Sequence, residues 1–191
     1  MLDIIRRQLQ QSLDTLTKVL HDDAVHRSLL DSATATADAM RNGRKLLVCG
    51  NGGSAADVSD FATEYTCRFN GDRRPYPALN LTTDGGLISA IGNDYAFEEI
   101  FARQVTAFGK PGDVLIVATT SGRSKNILRA LTEARRLGLS SIALLGKDGG
   151  PAKGMATVEL IVPGPVTARI QEAHKFIFHV ICELVDPELK R

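Results

Sequence analysis

The segment KLLVCGNGGSAADVSDFATE, residues 45–64, decides the architecture. Its first five residues are mostly apolar and of strand length. They run into Gly50-Asn51-Gly52-Gly53, and Ser54 has the side chain of an N-cap, so a helix is predicted to open there. The same strand-to-helix alternation recurs downstream. PALNL (77–81), DVLIVA (113–118), SIALL (141–145) and VELIV (158–162) are further apolar runs of strand length. Helical patterns separate most of them, over 54–67, 84–105 and 124–137, with a short one at 150–154 and a last helix over 166–185. Doubly apolar strands alternating with helices imply an α/β fold with a parallel sheet covered on both faces.

Upstream of Lys45 no strand is expected. Leu2, Ile5, Leu9, Leu13, Leu16 and Leu20 recur at three- and four-residue steps, so residues 2–20 read as an amphipathic helix. A second helix, 23–42, stops at Asn42-Gly43. This pair needs somewhere to bury its apolar stripe, and another subunit is a common answer. No linker, repeat or low-complexity tract interrupts the chain, and Asn70–Pro77 reads as a polar loop. One domain spanning 1–191 is expected, with a helical pair at 1–43 and an α/β core at 44–187.

Composition narrows the function classes. A chain of 191 residues with 43% hydrophobic and 24% charged residues can build a full core. A net charge of +1 without a basic block argues against a nucleic-acid surface. Cys49, Cys67 and Cys182 lie far apart without a CxxC, which excludes a zinc ribbon or disulfide framework; Cys49 and Cys182 sit in apolar runs and read as core. The start, MLDIIRRQLQQ, is charged and amphipathic, and no run approaches the roughly 18 apolar residues of a membrane span. A cytoplasmic protein is expected.

In such sheets ligands sit beyond the carboxyl ends of the strands. The loop Gly50–Ser54 suits an anion, because glycines let the backbone approach and a helix N-terminus offers free N–H groups. Gly50-x-Gly52-x-x-Ala55 also fits a relaxed dinucleotide fingerprint, but the second strand ends in Thr82-Thr83 where an acid should take the ribose. A second loop, Thr119-Thr120-Ser121-Gly122-Arg123-Ser124, sets four hydroxyls and one glycine among others at a helix start, which suits a phosphate monoester. Together the two loops favour a phosphorylated small molecule over a dinucleotide. A third, Gly92-Asn93-Asp94, could bind sugar hydroxyls or simply make an Asx turn.

Asp60 and Glu64 are four residues apart and share one helix face beside the first loop, as a general base or metal ligand would. Phe61, Ala62 and Tyr65 make that helix partly buried. The last helix carries Gln171, Glu172, His174 and His179. His174 fits a core histidine, whereas His179 lies between Phe178 and Val180, where a polar ring needs a partner.

CGNGGSAAD (49–57), GND (92–94), TTSGRS (119–124), GKDGG (146–150) and RIQEAH (169–174) followed by His179 together resemble the sugar isomerase (SIS) domain family, in its phosphoheptose isomerase branch. The resemblance covers about residues 45–185. It implies a five-stranded, flavodoxin-like three-layer sandwich whose N-terminal helices serve oligomerisation. It implies a homotetramer with active sites at subunit interfaces. The activity it implies is the aldose–ketose conversion of D-sedoheptulose 7-phosphate to D-glycero-D-manno-heptose 7-phosphate through a cis-enediol, opening nucleotide-activated heptose synthesis. Its substrate contacts fall on Asn51, Gly52, Gly53, Ser54, Glu64, Asn93, Asp94, Thr119, Thr120, Ser121, Ser124 and Gln171. Its catalytic pair falls on Glu64 and His179. Where zinc is present, one ion per subunit falls on Asp60, Glu64, Gln171 and His179.

The chain departs from the family at Asp60, where the family usually has His, at Thr119, commonly Ser, and at Ala168, often an acid. Thr119 keeps the hydroxyl. Asp60 remains a competent zinc ligand, but three oxygen donors and one imidazole make a harder site than usual, with lower zinc affinity or a preference for another divalent metal. A non-catalytic SIS adaptor and an isomerase of another phosphosugar are the competing readings. Gln171 and His179 are eight residues apart, roughly 12 Å along a helix, so a subunit interface is expected to bring them to one site.

Overall fold

The central strands β1 (Leu46–Gly50) and β3 (Val114–Thr119) are buried along their whole length, as doubly apolar runs require. With β2 (Ala78–Asn80), β4 (Ser140–Gly146) and β5 (Val158–Val162) they form one parallel sheet in the order β2-β1-β3-β4-β5. The structure, a computed structural model, describes residues 1–190; Arg191, the end of the expected domain, lies outside the described residues.

Alternate side chains of each strand feed two cores. Leu46 and Val48 of β1 face a core shared with helices α1 (Leu2–Leu20), α2 (Asp23–Arg41), α3 (Gly53–Thr66) and α7 (Thr167–Leu189). Leu47 and Cys49 face a core shared with α4 (Gly85–Asp94), α5 (Ala102–Phe108) and α6 (Lys125–Arg136). The result is the three-layer sandwich that the sequence implies. Phe61, Tyr65 and Phe178 stack where α3 meets α7, with ring centroids 4.6 to 5.1 Å apart. Cys49 and Cys182 are buried and Cys67 is exposed, all three as free thiols.

Three local expectations change. The helix predicted over 84–105 is broken into α4, a 3₁₀ turn at Phe97–Glu99 and α5. Asp84 caps α4 through Leu87 N, and Gly92-Asn93-Asp94 are weak helix formers that let it end at Tyr95. The third candidate loop is therefore the last turn of α4. The helix expected to open at Ser54 opens earlier, with Gly52 as N-cap at φ +54°, and Ser54 is buried inside its first turn. The segment at 150–154 narrows to a 3₁₀ turn, Gly150–Ala152.

The polar loop 70–77 is pinned from within. Arg73 donates to Asp186 at 2.8 Å, with both side chains only 4% exposed, and to the carbonyls of Glu64 and Tyr65. This buried pair fixes the C-terminal end of α3 against α7.

Candidate active site

The strand order sets the site. From β1 the chain moves one way to β2 and the other way to β3, so a crevice opens above the carboxyl ends of β1 and β3. Gly50 lies in register with Ala118, which puts the loops 50–54 and 119–124 side by side.

The first loop is tied to the second by two amides. Asn51 and Asn126 exchange hydrogen bonds at 2.9 and 2.8 Å, and Asn126 is buried at the start of α6. In the second loop Thr119 is buried and its hydroxyl accepts from Gly122 N, while the Ser121 hydroxyl accepts from Arg123 N. Ser124 stands at the N-cap of α6 without a side-chain capping bond, so its hydroxyl is free for a ligand. Behind this loop, Ala152 N donates to the Gly122 carbonyl, which fastens the GKDGG segment to it. Backbone N–H groups, open hydroxyls and a helix N-terminus together suit a phosphate.

Below the first loop, α3 and α7 present matching rows. Asp57, Asp60 and Glu64 lie along one side of α3. Gln171, Lys175 and His179, spaced four residues apart, lie along one side of α7. Asp57 is hydrogen-bonded to Gln171. Asp60 Oδ2 receives Lys175 Nζ at 2.8 Å and lies 3.7 Å from His179 Nε2. Asp60 is thus the partner His179 needs, although the ring is half-exposed rather than buried in the helix packing. Phe69 flanks the ring at 6.0 Å.

The charges act on one another. Burial, then the charge of Asp60, pushes the Glu64 carboxyl above the usual range, while His179, Arg73 and Lys175 pull it back. Burial likewise raises Asp57. The hydrogen bond from Lys175 holds Asp60 below its ordinary value, and the same bond raises Lys175. A carboxylate made more basic by its surroundings, with an imidazole on the facing helix, can move a proton to and from carbon.

Gly53 ties the rows to the loop. A Cβ there would meet the Gln171 side-chain amide at its oxygen 2.5 Å away, so the absence of a side chain at Gly53 leaves the room in which the Gln171 amide lies. His174 points the other way: fully buried, its Nε2 lies 3.0 Å from the Leu145 carbonyl, as a core histidine should.

Asn93 and Asp94 are not brought to these rows. They end α4 on the opposite face of the sheet, where Asn93 Nδ2 donates to Asp94 Oδ1 and Asp94 borders a groove with Leu87, Ile91, Tyr95 and Arg103. Asp57, Asn126 and Lys175 are site residues that sequence reasoning missed. Lys175 had a signal, its place midway between Gln171 and His179; Asn126 had none.

Asp60, Glu64, Gln171 and His179 do not assemble as a zinc site within one chain. Among the described residues, no three His, Cys, Asp or Glu side chains are grouped to hold a metal. Gln171 is turned to Asp57, and an ammonium occupies Asp60.

A family model, the SIS domain, matches residues 9–146. The phosphoheptose isomerase of Clostridium acetobutylicum is 43% identical over 189 residues, 99% of this chain and 96% of the relative. That of Geobacter sp. strain M21 is 46% identical over 99% of this chain and 97% of the relative. Among solved structures, a phosphoheptose isomerase from Francisella tularensis superimposes with a TM-score of 0.91 at 39% identity, covering 97% of this chain and 98% of that one. One from Neisseria gonorrhoeae gives 0.90 at 37% identity, covering 96% and 98%.

Proposed function

The chain belongs to the SIS domain family, in its phosphoheptose isomerase branch, and from that premise we propose that it converts D-sedoheptulose 7-phosphate to D-glycero-D-manno-heptose 7-phosphate, at the entry to nucleotide-activated heptose synthesis. The observation that carries this reading is Glu64, a carboxylate raised by burial on the α3 face that also carries Asp60, where the charge of His179 reaches it.

The isomerisation moves one proton between C1 and C2 and another between their oxygens. The loop 119–124 and the N-terminus of α6 hold the phosphate. Asn51 and the glycine loop align the sugar chain. Glu64 takes the proton from carbon to leave a cis-enediol and returns it to the neighbouring carbon. His179, oriented by Asp60, passes the proton between the oxygens. Binding energy from the remote phosphate holds the reacting carbons at the base.

The functional unit in this reading is a homotetramer with shared sites. Leu2, Ile5, Leu9, Leu13 and Leu20 of α1 are 55–67% exposed, an apolar stripe the single chain leaves uncovered. Asn93 and Asp94, on the far face of the sheet, would reach the rows of a neighbouring subunit. A phosphorylated substrate does not cross a bilayer unaided, so a cytoplasmic location goes with the reading. Among the described residues no helix is long and apolar enough to cross a membrane.

The test is turnover of sedoheptulose 7-phosphate by the purified chain in D2O, with its mass read by light scattering. Deuterium at C2 of an aldose product is expected, from a four-chain particle. Absence of product from the folded particle would overturn the substrate; full activity at monomer mass would overturn the shared site.

A further inference from the structure

Gln171, Lys175 and His179 form one row on α7, and Lys175 is its centre. Its Nζ lies 2.8 Å from Asp60 Oδ2, and His179 Nε2 approaches the same oxygen at 3.7 Å. A zinc ion on that oxygen would sit about 2.0–2.2 Å away. It would have to displace the ammonium or share the carboxylate with it, cation against cation. The family resemblance expects His at position 60; here the position is a carboxylate, and a cation built into the chain faces it. Beside Lys175 a cavity of about 230 Å³ opens between α3 and α7, bordered by Asp57, Ala168, Gln171 and Glu172.

We propose that the Lys175 ammonium, held on Asp60, is the positive charge of this active site and serves there in place of a divalent metal. The inference rests on the isomerase reading. An ammonium has three donors and no acceptor. One donor is spent on Asp60, and two remain for the substrate oxygens. As Glu64 removes the carbon-bound proton, negative charge grows on the carbonyl oxygen, and a fixed cation stabilises that charge more than it stabilises the ground state. Lys175 neither gains nor loses a proton: Glu64 takes the proton from one carbon, exchanges it with solvent, and delivers a proton to the neighbouring carbon. Because Asp60 neutralises it at rest, the ammonium is kept in place without substrate.

The experiment uses the full-length chain, stripped with EDTA and then incubated with micromolar zinc. Zinc uptake is read by elemental analysis and isothermal titration, and turnover is read on sedoheptulose 7-phosphate. The wild type is expected to keep its turnover after stripping and to take up less than about one zinc per ten subunits. Lys175→Met is expected to lose about 100-fold in kcat with little change in KM, and Lys175→Arg to recover roughly tenfold of that loss. Lys175→Met should also bind zinc at least about tenfold more tightly than the wild type, because Asp60 is freed. One tightly held zinc per wild-type subunit, with turnover lost on stripping, would overturn the proposal. So would a Lys175→Met enzyme that keeps wild-type kcat. Should the wild type fail to turn over this sugar at all, the isomerase reading falls separately. The zinc titrations then decide: tight zinc on the wild type refutes the built-in cation, and zinc gained only on Lys175→Met supports it.

Discussion

Two histidines five residues apart on α7 occupy opposite circumstances. His174 is fully buried against the Leu145 carbonyl, and burial pulls its pKa down to about 4. His179 is half-exposed, 3.7 Å from the Asp60 carboxylate and one turn from Lys175. The helix turns one side to the sheet, where Ile170, Ala173, Ile177 and Ile181 are buried with His174. It turns another side to α3, where Gln171, Lys175 and His179 meet carboxylates. The same ring is a packing unit on one side and, in the proposed mechanism, an acid–base group on the other. Residue type alone does not separate the two roles; the angular position on the helix does.

The largest expected effect falls on the α3-facing side. Glu64→Gln keeps the shape and removes the base, so kcat should fall at least about 10³-fold, roughly 4 kcal/mol of barrier, with the melting temperature unchanged. His179→Asn should cost about 10²-fold in kcat, again without a change in melting. Turnover of Glu64→Gln near the wild-type rate, in steady-state assays, would remove the base assignment and with it the contrast.

A substitution on the inward side should reverse the pattern. His174→Ala removes a buried ring and its bond to Leu145, so stability should drop by about 2–4 kcal/mol while kcat stays within about threefold. Denaturant unfolding and assay of the same preparation check both halves. A loss of kcat as large as that of His179→Asn would show that His174 shares the chemistry.

Much of this contrast was legible in the sequence. The β–α alternation follows from apolar runs of strand length, and the shared face of Asp60 and Glu64 follows from spacing alone. His174 read correctly because an apolar helix offers a histidine few roles. The misreadings have local causes. The apolar spacing of Leu87, Ile88, Ile91, Ile100 and Phe101 is compatible with one helix, yet the chain turns at Tyr95 and both halves still bury their stripes. Ser54 looks like a cap, but Gly52 at φ +54° starts the helix two residues sooner. The pairing of rows was not legible. That Lys175 meets Asp60, and Gln171 meets Asp57, depends on how α3 and α7 cross the sheet, a contact between residues more than a hundred positions apart. The strand order, which sets the crevice between β1 and β3, is equally nonlocal.

The smallest effect, and the one most specific to the buried ring, is its pH dependence. His174 titrates near 4 when folded and near 6.5 when unfolded. Between those values the unfolded chain binds a proton that the native chain refuses. Stability from this residue is therefore complete above about 6.5 and is lost as pH falls toward about 4, by at most about 3.4 kcal/mol. Other groups titrate in the same range. Asp57 and Glu64, raised by burial, take up protons more readily in the native state and gain relative stability as pH falls, whereas Asp60 and Asp186, held low by their cationic partners, lose it. A raw pH profile mixes these signs, so the variant must be the reference. The stability difference between wild type and His174→Leu, from denaturant unfolding at pH 7 and at pH 4.5, cancels the carboxylates common to both. That difference should move against the wild type by about 2–3 kcal/mol at the lower pH. A difference independent of pH would mean that His174 takes up its proton as readily in the folded chain as in the unfolded one, and burial would then not set its charge.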